Sequence, residues 1–534
     1  MRVNCGLLAL LVLGSLRYGL ASDYYSSITG LEQLLHTEHI LMSDLSSQLD
    51  VAKNVLLHLE RELSAIKVEH ALAAKGLENY LTNPVNIYRL MKRLHTDWQQ
   101  LDSRVQQMSR QLRFNITQHD GLSFPSQEDV DGAALALVRL QSTYKLDVAQ
   151  VAAGILNGIK YGTDMSWQDC FVLGQQLFEM EDYNNTKVWL RESMERLRRH
   201  QPRPTTPEPA LLNSMEMVAQ SLFRMGDFDT AYELSQRVLE LDPSRIRNWH
   251  LGDKAANVVH DEGDDGAHQR HAAGYRLSQE FNHYEKVCRG EVSPSAAQQR
   301  LLRCRYTRGR HAYRVLAPFK LEEHNHDPLV VSYHDMLRPQ QIDELREMAV
   351  PHMQRSTVNP LPGGQRMKSA FRVSKNAWLP YNTHPMMGRM LRDVGDATGL
   401  DMTYCEQLQV ANYGVGGHYE PHWDFFRDTR HYPAAEGNRI ATAIFYLSDV
   451  EQGGATAFPF LNFGVRPQLG NILFWYNLHR SSDKDYRTKH AGCPVLKGSK
   501  WIANIWIHEA TQTFARPCDV FRDNEVSVGY DIIK

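Results

Sequence analysis

The sequence predicts a multidomain α + β protein, helical through its first half and strand-rich toward its C-terminus. Three observations carry that prediction. An apolar 3-4 repeat runs from Ile28 to Ile66, a later helical segment repeats itself at an offset of 45 residues, and short β-branched and aromatic runs alternate with Gly- and Pro-rich turns beyond Leu329. A chain of 534 residues exceeds what one core organises, so about two to four domains are expected. Its 59 basic and 62 acidic residues nearly balance, which argues against a nucleic-acid footprint or an acidic solvating tail.

Residues 1–21 read as a secretory signal. Arg2 precedes an apolar run from Leu7 to Leu16, too short to span a bilayer, and small residues allow cleavage after Ala21. The mature chain is therefore expected in the secretory pathway, where Cys170, Cys288, Cys304, Cys405, Cys493 and Cys518 meet oxidising conditions. Proximity in sequence favours Cys288 with Cys304 and Cys493 with Cys518. Asn115 and Asn184 lie in glycosylation sequons.

The first repeat comprises Ile28, Leu31, Leu35, Met42, Leu45, Leu49, Ala52, Leu56, Leu59, Leu63 and Ile66, and Glu38 interrupts it. Such sustained a/d spacing predicts a coiled coil, making residues 22–145 a helical dimerisation domain; the alternative is an antiparallel helix packed within the same chain. Next, "GQQLFEMEDYNNTKVWLRESMERL" from Gly174 aligns with "AQSLFRMGDFDTAYELSQRVLELDP" from Ala219, matching Phe178 with Phe223 and Tyr183 with Phe228. This pattern resembles tetratricopeptide repeats, with the Pro-rich insert from Gln201 to Pro209 absorbing the extra length. Residues 146–255 are thus expected to bind extended peptides, with Tyr183 and Phe228 in the groove or else as ordinary packing aromatics. Residues 256–328 read as a linker with a disulfide. Strands such as "RIATAIFYLSDV" and "KWIANIWIHE" make residues 329–520 a double-stranded β-helix, or jelly roll, before a tail at 521–534.

The chemistry concentrates in "NYGVGGHYEPHWDFF", where His418, Glu420, His422 and Asp424 recur at spacings of two. On a strand all four share a face. His422 and Asp424 form a His-x-Asp pair, and His490 in "TKHAGCPV" is the candidate third ligand. Two histidines and a carboxylate suit non-haem Fe(II), because they leave positions open for a cosubstrate and oxygen. In "KWIANIWIH", Lys500, Ile502, Asn504, Trp506 and His508 alternate onto one face. A cation facing a barrel interior needs an anion.

Together with "GNRIATAIFYLSDVEQGGATAFP" and "KHAGCPVL", these blocks closely resemble collagen prolyl 4-hydroxylase alpha subunits, and the resemblance runs along essentially the whole chain. It implies that His422, Asp424 and His490 ligate iron and that Lys500 binds the distal carboxylate of 2-oxoglutarate. Tyr413 and Thr442 would line that pocket, with Trp506 beside it and His508 assisting cosubstrate binding and decarboxylation. It further implies oxidation of 2-oxoglutarate to succinate and CO2 coupled to hydroxylation of proline C4 in X-Pro-Gly, with ascorbate keeping the iron reduced. The family assembles with protein disulfide isomerase as an α2β2 tetramer in the endoplasmic reticulum lumen, which suits an end, "GYDIIK", without a retention tetrapeptide. The chain departs from the family at His418, where Gln is usual, at Trp423, where Phe is common, and at Phe223 and Phe228, where tyrosines are frequent. Rival readings are a dioxygenase of another secretory peptide and a non-catalytic procollagen-binding subunit.

Overall fold

The structure, a computed structural model, describes residues 27–51, 57–108, 124–200, 209–248, 278–309, 311–358, 367–368, 372–428 and 435–519. The signal, Asn115 and the tail at 521–534 lie outside those residues. Two compact units divide mainly into residues 29–272 and 273–534.

In the first unit the apolar repeat forms helices α1 (Ile28–Val51) and α2 (Leu57–Lys75). Leu31, Leu35, Leu45, Leu59, Leu63 and Ile66 are buried, and so is the interrupting Glu38. Its carboxylate accepts from Arg93 Nε at 2.7 Å and Nη2 at 3.3 Å, and lies 3.5 Å from His70 Nδ1. Burial pushes the Glu38 carboxyl up, but Arg93 and His70 outweigh it and hold it below the usual range. Glu38 and His70 are 32 residues apart; along one helix that is about 48 Å. The two helices therefore lie side by side where Glu38 meets His70, and the described residues of the stripe are buried within the chain.

Helix α3 (Pro84–Lys92) starts at Asn83, whose side chain accepts from the amides of Val85 and Asn86, with proline at the first helical position. Capping boxes open α4 (Gln127–Tyr144) at Ser126/Asp129 and α5 (Trp167–Glu179) at Ser166/Asp169. The internal repeat appears as two helical hairpins: α5 with α6 (Tyr183–His200), and α7 (Pro209–Arg224) with α8 (Phe228–Leu241). In each, the aromatic that opens the second helix packs edge-on against a phenylalanine of the first. Phe178–Tyr183 lie 5.8 Å apart and Phe223–Phe228 5.2 Å, both at 68°.

Among its described residues the second unit holds two larger antiparallel sheets and two separate two-stranded ladders, Thr357–Val358 with Met367–Lys368 and Gln452–Gly453 with Val495–Lys497. The strands of the larger sheets are β1 (Cys304–Thr307), β2 (Phe319–His326), β3 (Leu329–His334), β4 (Gln354–Arg355), β5 (Arg372–Val373), β6 (Lys375–Leu379), β7 (Leu408–Tyr413) and β8 (His418–His422). Then follow β9 (Arg439–Tyr446), β10 (Thr456–Phe458), β11 (Phe463–Val465), β12 (Ile472–Tyr476), β13 (His490–Gly492) and β14 (Lys500–His508). The larger sheet has the order β1-β2-β3-β12-β9-β14-β7-β6-β4, and the smaller β11-β10-β13-β8-β5. Strand β14 is central and buried throughout. Its Trp501, Ala503, Ile505 and Ile507 pack into the core shared with α10 (Pro385–Thr398), while Ile502 joins Tyr413, Phe458 and Trp475 between the sheets. Period-2 patterning thus feeds a core on each face.

Two expectations are corrected. Strands β1 and β2 already belong to the larger sheet, so the β-rich unit begins well before Leu329. The disulfide joins Cys288 to Cys493, and Cys304 and Cys518 are exposed thiols, so neither sequence-local pair forms. The reason is packing: α9 (Gln279–Cys288) sets Tyr284 and Val287 against Ala457 and Ala491 of the smaller sheet, which brings Cys288 to Cys493 across 205 residues.

Removing one partner of a buried ion pair strands the other. Glu38→Leu is expected to cost about 3–5 kcal/mol in urea unfolding of the helical unit, and adding Arg93→Met should recover most of the loss.

Candidate metal centre and its cleft

Two short strands deliver the donors. β8 ends at His422, Asp424 follows, and β13 begins at His490, paired directly with His422. One ligand atom from each of the three lies within 4.8 Å of the others. Asp424 Oδ1 is 3.6 Å from His422 Nε2, and Oδ2 is 3.5 Å from His490 Nε2. Each imidazole is oriented by a carbonyl two residues earlier: Nδ1 of His422 is 2.8 Å from Glu420 O, and Nδ1 of His490 is 3.0 Å from Thr488 O. Carbonyls only accept, so both Nδ1 atoms carry the proton and both Nε2 lone pairs face Asp424.

The electrostatics keep these donors ready. Burial, with His490 close by, pushes the His422 imidazole down to about 3. Burial alone would raise Asp424, but the two imidazoles, Arg439 and the Thr442 hydroxyl hold it at about 2. At neutral pH the set is therefore an anionic carboxylate with a neutral His422, which fits a divalent metal without competition from protons there. Thr442 does not line the inner cavity as expected. Its hydroxyl donates to Asp424 Oδ2 at 2.7 Å and accepts from Asn477 Nδ2 at 2.9 Å, while Asn477 accepts from Trp475 Nε1 at 2.9 Å. This chain orients the carboxylate.

His418 and Glu420 do not join the donors. The register shifts between Tyr419 and His422, around Pro421, and the bulge breaks the alternation that put all four on one face. Both are buried, 3.9 Å from each other. The bulge instead lays the Tyr419 ring on His422, with centroids 3.5 Å apart.

Strand β14 closes the inner cavity with Lys500, Ile502, Asn504 and Trp506, as its alternation predicts. Tyr413 and Thr456 line it too. Lys500 is 3 % exposed, and among the described residues it has no carboxylate partner. Its Nζ is 3.4 Å from Thr456 Oγ1 and 5.9 Å from the ring centres of Tyr413 and Tyr446. Burial pushes the ammonium down to about 7. The cavity thus ends in an unneutralised cation opposite the donor set, an arrangement complementary to a dicarboxylate.

His508 lies outside that cavity. A bulge between Arg439 and Ala441 of β9 offsets the register at this end of β14. The His508 ring meets Gly437 O at 3.0 Å and Glu406 Oε1 at 3.1 Å. Glu406 also takes Arg439 through both oxygens, at 2.5 and 2.9 Å, and the guanidinium lies 4.3 Å from the Trp506 ring centre. His508 is therefore linked to the cleft wall through Glu406 and Arg439.

Outside the cavity a cleft of 770 Å³ has Asp424 in its lining, aromatic walls of Trp378, Trp423 and Trp506, and the cations Arg355, Arg372 and Arg439. In the helical unit Tyr183 is half-buried, Phe228 is 58 % exposed and Asn184 is exposed. Sequence reasoning missed Thr456, Tyr419, Glu406 and Arg439. Tyr419, Arg439 and Thr456 all lie in the quoted sequence blocks, but nothing in their spacing marked them, and Glu406 lies outside those blocks.

Lys500 gives a pH signature. The unfolded side chain titrates near 10.4, so between about 7 and about 10 the unfolded chain binds the extra proton and stability rises with pH. Without 2-oxoglutarate, urea unfolding at pH 9.5 should exceed that at pH 7 by on the order of 3 kcal/mol from this group. Lys500→Met should remove the rise and stabilise the protein at pH 7.

Residues 27–158 match the prolyl 4-hydroxylase alpha-subunit N-terminal region, residues 167–251 the prolyl 4-hydroxylase peptide-substrate-binding domain, and residues 408–508 the 2OG-Fe(II) oxygenase superfamily. The chain is 36% identical to prolyl 4-hydroxylase subunit alpha-1 of Bos taurus, over 93% of its own length and 95% of that protein's. It is 35% identical to prolyl 4-hydroxylase subunit alpha-2 of Caenorhabditis elegans, over 94% of each. Among solved structures, the viral collagen prolyl hydroxylase of Paramecium Bursaria Chlorella virus-1 in its 2OG complex is 26% identical, covering 34% of this chain and 95% of that one, with a TM-score of 0.28. With relatives aligned along nearly its whole length and three successive regions matched, the chain belongs to the prolyl 4-hydroxylase alpha-subunit family.

Proposed function

We propose that this chain hydroxylates C4 of proline in X-Pro-Gly sequences of collagen-like chains, consuming 2-oxoglutarate and O2 and releasing succinate and CO2. It is a 2-oxoglutarate-dependent Fe(II) oxygenase. The observation that carries the reading is Lys500, a buried cation without a carboxylate partner among the described residues, facing the His422–Asp424–His490 donor set along one cavity.

His422 Nε2, His490 Nε2 and the Asp424 carboxylate hold the iron, which when bound supplies oxygen activation with 2-oxoglutarate as co-reductant. Lys500 takes the distal carboxylate of 2-oxoglutarate, with the Thr456 hydroxyl and Tyr413 beside it. Thr442 and Asn477 keep Asp424 turned to the metal. Tyr419 and Trp506 stand where cleft and cavity meet and exclude water from the reacting carbon. His508 holds Glu406, and Glu406 holds Arg439, at the cleft wall. Ascorbate, standard for the family, would complete the cofactor set.

The cleft and the helical hairpins accept a polyproline-II chain, whose backbone has no internal hydrogen bonds and whose rings favour aromatic surfaces. Phe228 and Tyr183 present such rings. The finer architecture follows the same reading: the two sheets form a double-stranded β-helix, and the N-terminal helical unit supports self-association through faces other than the stripe buried between α1 and α2. The chain works as an α2β2 tetramer with protein disulfide isomerase in the endoplasmic reticulum lumen, after loss of residues 1–21 and glycosylation at Asn115 and Asn184. The Cys288–Cys493 disulfide suits that oxidising compartment.

Succinate release by the co-expressed complex is expected with (Pro-Pro-Gly)10; a complex that turns over 2-oxoglutarate only with a lysine peptide, or with none, sinks the collagen assignment. His490→Ala should abolish release. Phe228→Ala should raise KM for the long peptide about 5–10-fold, at nearly unchanged kcat, as expected for one lost ring contact of about 1 kcal/mol.

A further inference from the structure

Trp423 stands between two of the three metal donors, yet its half-buried indole points into the cleft wall. Its contacts converge on one place. Nε1 donates to Tyr486 O at 2.9 Å, and the Tyr486 ring meets the indole edge-on at 5.6 Å. Lys489 Nζ lies 4.4 Å from the indole centre, and the Arg427 guanidinium lies 4.3 Å from it. Tyr486 and Lys489 belong to the segment that leads directly into His490, and Lys489 is tied in turn to Glu280 of α9.

The backbone alone holds these two segments weakly. β8 and β13 are paired at Tyr419–Gly492 and His422–His490, with a bulge between the pairs. A bulged ladder of that length leaves the spacing of the donors soft. A cation–π contact and a hydrogen bond from one rigid ring add a brace across the gap, and such contacts are stronger where water is excluded.

We propose that Trp423 is a positioning residue of the metal centre, a brace that fixes the His490 segment against the strand bearing His422 and Asp424. The proposal rests on the reading of those three residues as the iron site. The bland alternative is an aromatic that only walls the peptide cleft.

Equilibrium binding of Mn(II), a redox-inert stand-in for Fe(II), separates the two in the full chain, read from the electron paramagnetic resonance signal of free Mn(II) without peptide. Trp423→Leu is expected to weaken binding about 10–100-fold, the range seen when groups supporting ligands are lost. Trp423→Phe keeps a ring over Lys489 but loses the N–H donor, so a smaller loss of about 3–10-fold is expected. Lys489→Met should also weaken binding, and the Trp423→Leu/Lys489→Met double variant should lose clearly less than the two single losses combined, because the Trp423–Lys489 contact is removed in both. Unchanged affinity in Trp423→Leu, or fully additive losses in the double variant, overturns the brace. Wild-type protein that binds no Mn(II) overturns the metal site itself, a distinct result.

Discussion

Taking an ammonium group out of water without a counter-charge costs several kcal/mol, and the β-rich unit is organised around one such group. Lys500 begins the central strand of the larger sheet, with β9 on one side and β7 on the other. Apolar cores lie on both faces of that sheet. This packing keeps water from the lysine and holds its head near Thr456 rather than letting it snorkel outward. The same closure that makes the site costly when empty of anions makes it selective for one, since a charge interaction grows as the surrounding dielectric falls.

Around that cation, regular strand alternation and its interruptions divide the labour. Alternation along β14 aligns Lys500, Ile502, Asn504 and Trp506 on the cavity. The bulge in β8 then turns His418 and Glu420 out of the donor set and folds Tyr419 onto His422. A second bulge, in β9, moves His508 off the cavity toward Glu406. Each departure relocates a buried polar group: His418 comes to lie 3.9 Å from the Glu420 carboxylate, and His508 bridges a carbonyl and a carboxylate.

Much of this was legible in the sequence for definite reasons. The period-2 strands, the 45-residue repeat and the His-x-Asp pair with a distant histidine are local patterns that survive folding. What sequence could not supply depends on three-dimensional neighbours. The heptad-like stripe of α1 and α2 is as compatible with an intrachain hairpin as with a partner chain, and Glu38 was readable as an interruption but not as the mate of Arg93. Cysteine pairing went astray because α9 packs on the smaller sheet, a contact that no spacing encodes. Thr442 was expected to line the cavity, but its hydroxyl is committed to Asp424. Bulges were the main obstacle, since a single extra residue reverses every face assignment beyond it.

The paired rings of the helical hairpins, Phe178 with Tyr183 and Phe223 with Phe228, repeat one geometry at two stations along the chain. A ligand that is itself periodic can seat on two equivalent stations in several registers of nearly equal energy, and the number of registers grows with ligand length. Residence then lengthens with the polymer while each individual contact stays weak, and a chain that slips by one period need not leave. Were both stations to take such a ligand, duplication of one modest contact would turn length into a quantity the protein can sense.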